Sequence, residues 1–177
     1  GGLNAYDNLA AMPATDAIRM DNLVPTPYGC TVRRGYTEHA TGLGGKVQSL
    51  VGLINVDGTF KMFASAGGKL HDITVPEAVT ELLSGFTNDY WQHVNFANAA
   101  GTHLVMVNGA DDGIWYSQTH GVQRLTLGDG VVQGTWKGVD PKKIIQLTVH
   151  QRRIWGVQKD STLGWFLPAD AVFGTAN

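Results

Sequence analysis

Three pairs of adjacent basic residues are the side chains of this sequence best suited to contact a phosphate or an acidic partner. They are Arg33-Arg34, Lys142-Lys143 and Arg152-Arg153. Guanidinium and ammonium groups bind phosphate oxygens through charge-assisted hydrogen bonds. Such residues also occur as solvated charges at turns and strand edges, where they discourage unwanted sheet pairing. The pairs are therefore candidate contacts to a partner or to passing DNA, with solvated surface charge as the alternative.

The sequence lacks the spacings typical of metal and catalytic sites. The histidines are His39, His71, His93, His103, His120 and His150, and no two stand at the HxH, HxxxH or HExxH spacing that favours zinc. No GxSxG motif marks a nucleophile elbow, and Cys30 has no histidine near it to activate its thiol. Asp111-Asp112-Gly113 departs from the EF-hand pattern and predicts a turn. We therefore expect no metal, no cofactor and no enzymatic activity.

The composition limits the class of protein. A chain of 177 residues that is 43% hydrophobic and 16% charged can bury the core of one compact domain. The 23 glycines and six prolines, with many valines and threonines and few glutamates, predict an all-β protein with many tight turns. A net charge of −2 and a pI near 6.3 argue against a dedicated nucleic-acid-binding protein. No apolar run approaches the roughly 18 residues of a membrane-spanning helix.

A repeated pattern of strands begins after residue 45. Its three units are Val51–Thr74, Val94–Gln118 and Leu147–Pro168, each with an apolar strand, a tight turn, a second strand, another turn and a third strand. Asp57-Gly58, Gly67-Gly68, Asp112-Gly113 and Asp160–Thr162 are predicted turns. Gly101-Thr102 lines up with Gly58-Thr59, and Gln151-Arg152 takes that place in the third unit. Room for a fourth strand follows the first two units, at Val79–Leu83 and Gln123–Leu127.

Four short strands repeated at this spacing are typical of β-propeller blades. The predicted blades cover residues 46–88, 89–138 and 139–177. A propeller typically closes with 4–8 blades. We therefore expect an incomplete propeller, either a fragment or one whose ring other sequence completes.

Residues 1–45 have a different pattern. Three prolines and the absence of a sustained apolar period predict an extended N-terminal arm that leads into the first blade. A short helical turn is expected at Asp16–Met20, where Thr15 or Asp16 could cap it. A short strand is expected at Thr31–Gly35. The arm would lie on another surface.

Two segments resemble tail proteins of short-tailed bacteriophages, the tail nozzle or tail tubular proteins and the related tail stabilisation proteins. The first segment is the opening, GGLNAYDNLAAMPATDAIRMDNLVPTPYGCTVRRGY. It shares with them Gly1-Gly2, Asn4, Ala17, Asp21-Asn22, Pro25, Gly29 and Arg34-Gly35-Tyr36. The second is Arg152–Gly174, which resembles their propeller units in having a basic and aromatic strand, a turn and a proline-containing exit.

The resemblance implies a virion structural protein of the phage tail, made in the bacterial cytoplasm. Such proteins form rings, often of six subunits, around the conduit through which the genome is ejected. They link the portal or adaptor to the tail tip or fibres. A slightly acidic chain suits a conduit, because each phosphate contact would slow the passage of DNA. The single cysteine suits a reducing cytoplasm.

Two other functions remain open from the sequence. A propeller that binds a glycan or receptor on a virion would use the tryptophans and tyrosines for stacking, although packing between blades is their first interpretation. A propeller hydrolase would need two facing carboxylates in a funnel, and the aspartates mostly stand beside glycine or asparagine, where turns explain them.

Overall fold

The computed structural model describes residues 2–177, and the fold class is all-β, as predicted. Within that range the regular structure consists of seventeen strands and a single 3₁₀ turn. The chain divides into two compact units, one ending at Glu38 and the other running from His39 to Asn177.

The first unit contains two small pairs of strands. They are β1 (Gly2–Leu3), parallel to β2 (Asp16–Ala17), and the hairpin of β3 (Leu23–Thr26) with β4 (Gly29–Val32). The helical turn expected at Asp16–Met20 is wrong, because the backbone at Asp16 pairs with Gly2 in a strand. The strand expected at Thr31–Gly35 starts earlier, at Gly29, and ends at Val32.

The first sheet of the second unit is a four-stranded antiparallel meander. Its strands are β5 (Val47–Ile54), β6 (Phe60–Ala66), β7 (Lys69–Asp72) and β8 (Thr80–Ser84), in that spatial order. The predicted fourth strand is therefore present. Gly67 and Gly68 form the β6–β7 turn with φ of 62° and 72°, a conformation that glycine adopts without steric cost.

The second sheet contains a similar meander and two added strands. The meander is β9 (Gln92–Asn98), β10 (Gly101–Val107), β11 (Gly113–Ser117) and β12 (Gly121–Leu127), and β13 (Thr135–Lys137) extends it in parallel. The turn expected at Asp112-Gly113 lies slightly earlier, since Gly113 already pairs with Leu125 as the first residue of β11.

The third sheet has three antiparallel strands. A 3₁₀ turn at Pro141–Lys143 leads into β14 (Ile144–His150), followed by β15 (Arg153–Gln158) and β16 (Gly164–Phe166). The final strand, β17 (Gly174–Thr175), pairs with β13 and so belongs to the second sheet.

The three sheets share two hydrophobic cores. Alternate residues of β10 enter different cores, Leu104 and Met106 on one face and Val105 and Val107 on the other. The first core adds Val51, Leu53, Phe63 and Leu70 of the first sheet, and the second adds Ile144, Leu147 and Ile154 of the third. The central strands β10 and β11 are thus buried on both faces, as the continuous apolar sequence of β10 predicts.

Each outer sheet leaves apolar side chains on the face opposite its core. On the first sheet, Leu50, Ile54 and Phe60 are 60%, 66% and 47% exposed, and Ile54 lies directly across from Phe60. On the third sheet, Trp155 and Phe166 pair across β15 and β16, and their rings are 4.7 Å apart. We call these the first and third outer faces.

Candidate functional site

The predicted basic residues of the 3₁₀ turn are partly neutralised. Lys142 Nζ lies 3.2 Å from Asp112 Oδ1, and Arg124 Nη1 lies 3.8 Å from Asp112 Oδ2. Asp140 also accepts a hydrogen bond from the Lys142 backbone N–H, so this carboxylate caps the turn. Lys143 is exposed, and its carbonyl accepts a bond from the Lys159 N–H. Arg124, which the sequence did not single out, joins Lys142 at Asp112.

The side chains of Arg152 and Arg153 have different partners. Arg152 forms a two-point ion pair with Asp170, including an Nε–Oδ1 distance of 2.8 Å. That hydrogen bond and charge raise the pKa of the Arg152 guanidinium. The guanidinium of Arg153 instead lies 5.2 Å from the centre of the Phe166 ring, on the third outer face.

The basic pairs do not form one cluster. Lys142-Lys143 and Arg152-Arg153 lie at opposite ends of β14, a seven-residue strand that spans roughly 20 Å. Arg33 and Arg34 belong to the first unit, where both are exposed and the Arg33 backbone N–H donates to Asn22 O. The two basic pairs of the second unit therefore do not form a continuous groove for nucleic acid.

Two buried aspartates could have supplied acid–base chemistry, but both have structural partners. Asp111 accepts hydrogen bonds from Thr87, from the Asn88 backbone and from the Asn108 amide, on the link between the first two sheets. Burial raises the pKa of Asp111, but these bonds outweigh burial and the pKa is lowered. Asp89 accepts from the Ser65 hydroxyl and the Gly68 N–H. Both carboxylates thus hold the link in place.

A cleft lined by aromatic, apolar and polar side chains lies at one end of the second sheet. It has a volume of about 240 Å³ and is bordered by Asn98, His103, Trp115, His120 and Gln133, among others. The strand register brings these residues together, because His103 lies opposite Ser117 and the β11–β12 turn carries His120. No sequence motif indicates this cleft, since its histidines are far apart in the chain and match no metal-site spacing.

No protein-family model, curated protein or solved structure matches the chain. Among the described residues no group of three or more His, Cys, Asp or Glu side chains is placed to hold a metal ion. No helix within residues 2–177 is long and apolar enough to span a membrane.

Proposed function

We propose that the chain is a non-enzymatic structural component of a bacteriophage tail, a nozzle or tail-tube hub. It forms part of the conduit for genome ejection and links the portal or adaptor to the tail tip or fibres. The resemblance of the opening segment and of Arg152–Gly174 to phage tail proteins supports this role. The chain would be made in the bacterial cytoplasm and reside in the virion tail.

The stacking of the three sheets is the observation that carries the proposal. In the proposed function the sheets are three blades of an incomplete propeller, since consecutive sheets share a core and the central strand β10 of the middle sheet contributes to both cores. The first and third outer faces would then contact different neighbours. A contact between two different faces of the same protein closes into a ring when the rotation allows it.

The charge distribution also suits a conduit. Lys61, Lys69 and Arg152 pair with Asp72, Glu81 and Asp170 respectively, and the net charge is −2. Acidic residues outnumber basic ones, so DNA would pass without tight binding. Arg33, Arg34, Lys143 and Arg153 are the remaining candidates from the sequence for contacts with DNA or with neighbouring tail proteins.

The native mass of the purified chain tests this proposal. Light scattering should give a closed ring, six times the 19.0 kDa chain mass in the expected case. Ile54→Lys places a charge on the first outer face and should shift the particle toward the monomer. Val75→Lys is the matched control, because Val75 is 59% exposed on a loop outside that face.

A monomer at every concentration would contradict the ring, and so would equal effects of the two lysine variants. Circular dichroism of each variant separates loss of assembly from loss of fold. Imaging of tails containing the chain would then test its place in the virion.

A glycan- or receptor-binding module of a virion is the second candidate function. The cleft beside Trp115 and His120 favours it, because ligand pockets are lined mostly by apolar and aromatic side chains with a few polar groups.

A further inference from the structure

The first two sheets of the second unit face in the same direction along the stack. Val51 and Leu53 of β5 share a core with Leu104 of the second sheet, and Val94 and Phe96 of β9 share a core with the third sheet. In each sheet these are alternate residues of the first strand, so they lie on one side of it. We call the face that packs against the following sheet the forward face, and the opposite one the back face.

The strand register shows where the forward face of the third sheet lies. Two-residue turns join the first two strands of the second and third sheets, Ala99-Ala100 in one and Gln151-Arg152 in the other. Counted back from these turns, Phe96 corresponds to Thr148, which lies directly across from Trp155. Since Trp155 belongs to the third outer face, that outer face is the forward face of the last sheet.

The first outer face is the back face of the first sheet. Leu50 and Ile54 alternate with the core residues Val51 and Leu53, so they lie on the opposite side of β5. The corresponding face of the second sheet receives the first sheet through Leu104. The stack in the second unit therefore begins with an open back face and ends with an open forward face.

Hydrogen bonds between neighbouring sheets repeat at corresponding positions. Gln118 Nε2 donates to Asp57 Oδ2, and Asn98 Nδ2 donates to Asp170 O. Each bond joins the turn between the first two strands of one sheet to the segment that follows the third strand of the next sheet. The step from the first sheet to the second is thus repeated from the second to the third.

We propose that the third outer face of one copy of the chain packs on the first outer face of a second copy. This contact repeats the same step once more, with a forward face on a back face. A second copy fits because its first sheet offers the kind of back face on which each forward face in the chain already packs.

The side chains on the two faces suit such a contact. Val157 and Phe166 of one copy then pack against Ile54 and Phe60 of the other, and their burial removes apolar surface from water. The inference rests on the proposed function, since it names the surfaces through which the ring would assemble.

A pair of complementary variants tests this contact. Ile54→Lys blocks the first outer face, and Val157→Lys, at a residue that is 47% exposed, blocks the third. Light scattering should show a monomer for each variant alone. An equimolar mixture should form a 1:1 complex of twice the 19.0 kDa chain mass, because each copy keeps the face that the other has lost. Isotope labelling of one variant and native mass spectrometry establish the 1:1 composition.

A mixture of Ile54→Lys with Leu50→Lys is the matched control. Both substitutions block the first outer face, so this mixture should remain monomeric. Circular dichroism shows whether each variant is folded. Phe60→Lys replaces Ile54→Lys, and Thr148→Lys replaces Val157→Lys, if either variant fails to fold.

The outcomes separate this contact from the ring of the proposed function. A complementary mixture that stays monomeric while the parent chain forms a ring would overturn the contact and leave the ring standing. A complex in the control mixture would also overturn the contact. A 1:1 complex in the complementary mixture, with a parent chain that grows into open polymers, would support the contact and contradict the closed ring. A parent chain and a complementary mixture that are both monomeric would overturn both.

Discussion

Buried polar side chains show most clearly how single residues support this fold. Asp111 and Asp89 have donors on every side because they fasten the link between the first two sheets. Such bonds offset the cost of taking a carboxylate out of water. His103 and Trp115 differ, since each keeps one buried polar atom without a hydrogen-bond partner in the chain.

Two histidines should make the free energy of unfolding depend on pH. Partial desolvation lowers the pKa of the exposed His93, and burial followed by the nearby charge of His120 lowers that of His103, from a usual value of 6.5. The unfolded chain then binds protons first as the pH falls. Stability should be full above about pH 6.5 and decline below it. Urea unfolding at pH 7.5, 6.5 and 5.5 measures this.

The variant His103→Gln should reduce that pH dependence, because the unfolded chain then gains one proton fewer. His150→Gln, at an exposed site, is the control and should leave the slope nearer to that of the parent. Stability that is constant or rises between pH 7.5 and 5.5 would contradict the expectation.

Tight turns decide where the strands begin and end. Glycines make the turn between β6 and β7, but Gln151 and Arg152 make the turn between β14 and β15 with φ of 48° and 60°. Non-glycine residues pay a steric cost there, which asparagine reduces by local hydrogen bonding. The Arg152–Asp170 ion pair and the Asp170 N–H bond to Arg152 O hold the strained turn.

The substitution Gln151→Asn should stabilise the chain by about 0.5–1 kcal/mol, because asparagine accepts this left-handed conformation more readily. Urea unfolding compares it with Gln48→Asn, which places asparagine on strand β5 and should be neutral or slightly destabilising. A loss of stability in Gln151→Asn would argue against strain at this turn.

The whole second unit is organised around its middle sheet. Leu104 and Met106 face the first sheet while Val105 and Val107 face the third, so one strand joins both cores. The outer faces remain exposed, with Ile54 and Val157 among their apolar side chains. The centre of the unit is therefore tightly packed, while each outer sheet exposes an apolar face. The proposed assembly depends on those two faces.

The substitution Leu104→Ala should cost about 2–5 kcal/mol, since Leu104 is 1% exposed and the cavity lies between two packed sheets. Leu127→Ala, at a residue that is 56% exposed, is the control and should change stability by about 0.5 kcal/mol or less. Thermal and urea unfolding give both values. Similar losses in the two variants would show that β10 is not the centre of the unit.

Local sequence patterns predicted most of the strands. They did not predict the cleft where His103, Trp115 and His120 meet. Alternation and glycine-rich turns identified the strands from Val47 to Leu127, because both signals depend on neighbours in sequence. The turn expected at Asp16–Met20 failed because its strand partner, Gly2, lies too far along the chain for a local signal. The basic pairs could be identified in the sequence, but the sequence did not show which of their side chains form an ion pair with a carboxylate.

The sequence alone determined the all-β class, the order of strands and the position of most turns, since side-chain alternation and positive φ are set within a few residues. Only the tertiary structure decided which sheets share a core and that β17 returns to the second sheet. It also decided that His103, Trp115 and His120 meet at one cleft. Such contacts join residues distant in the chain, and their pairing depends on strand register and sheet stacking rather than on local preference.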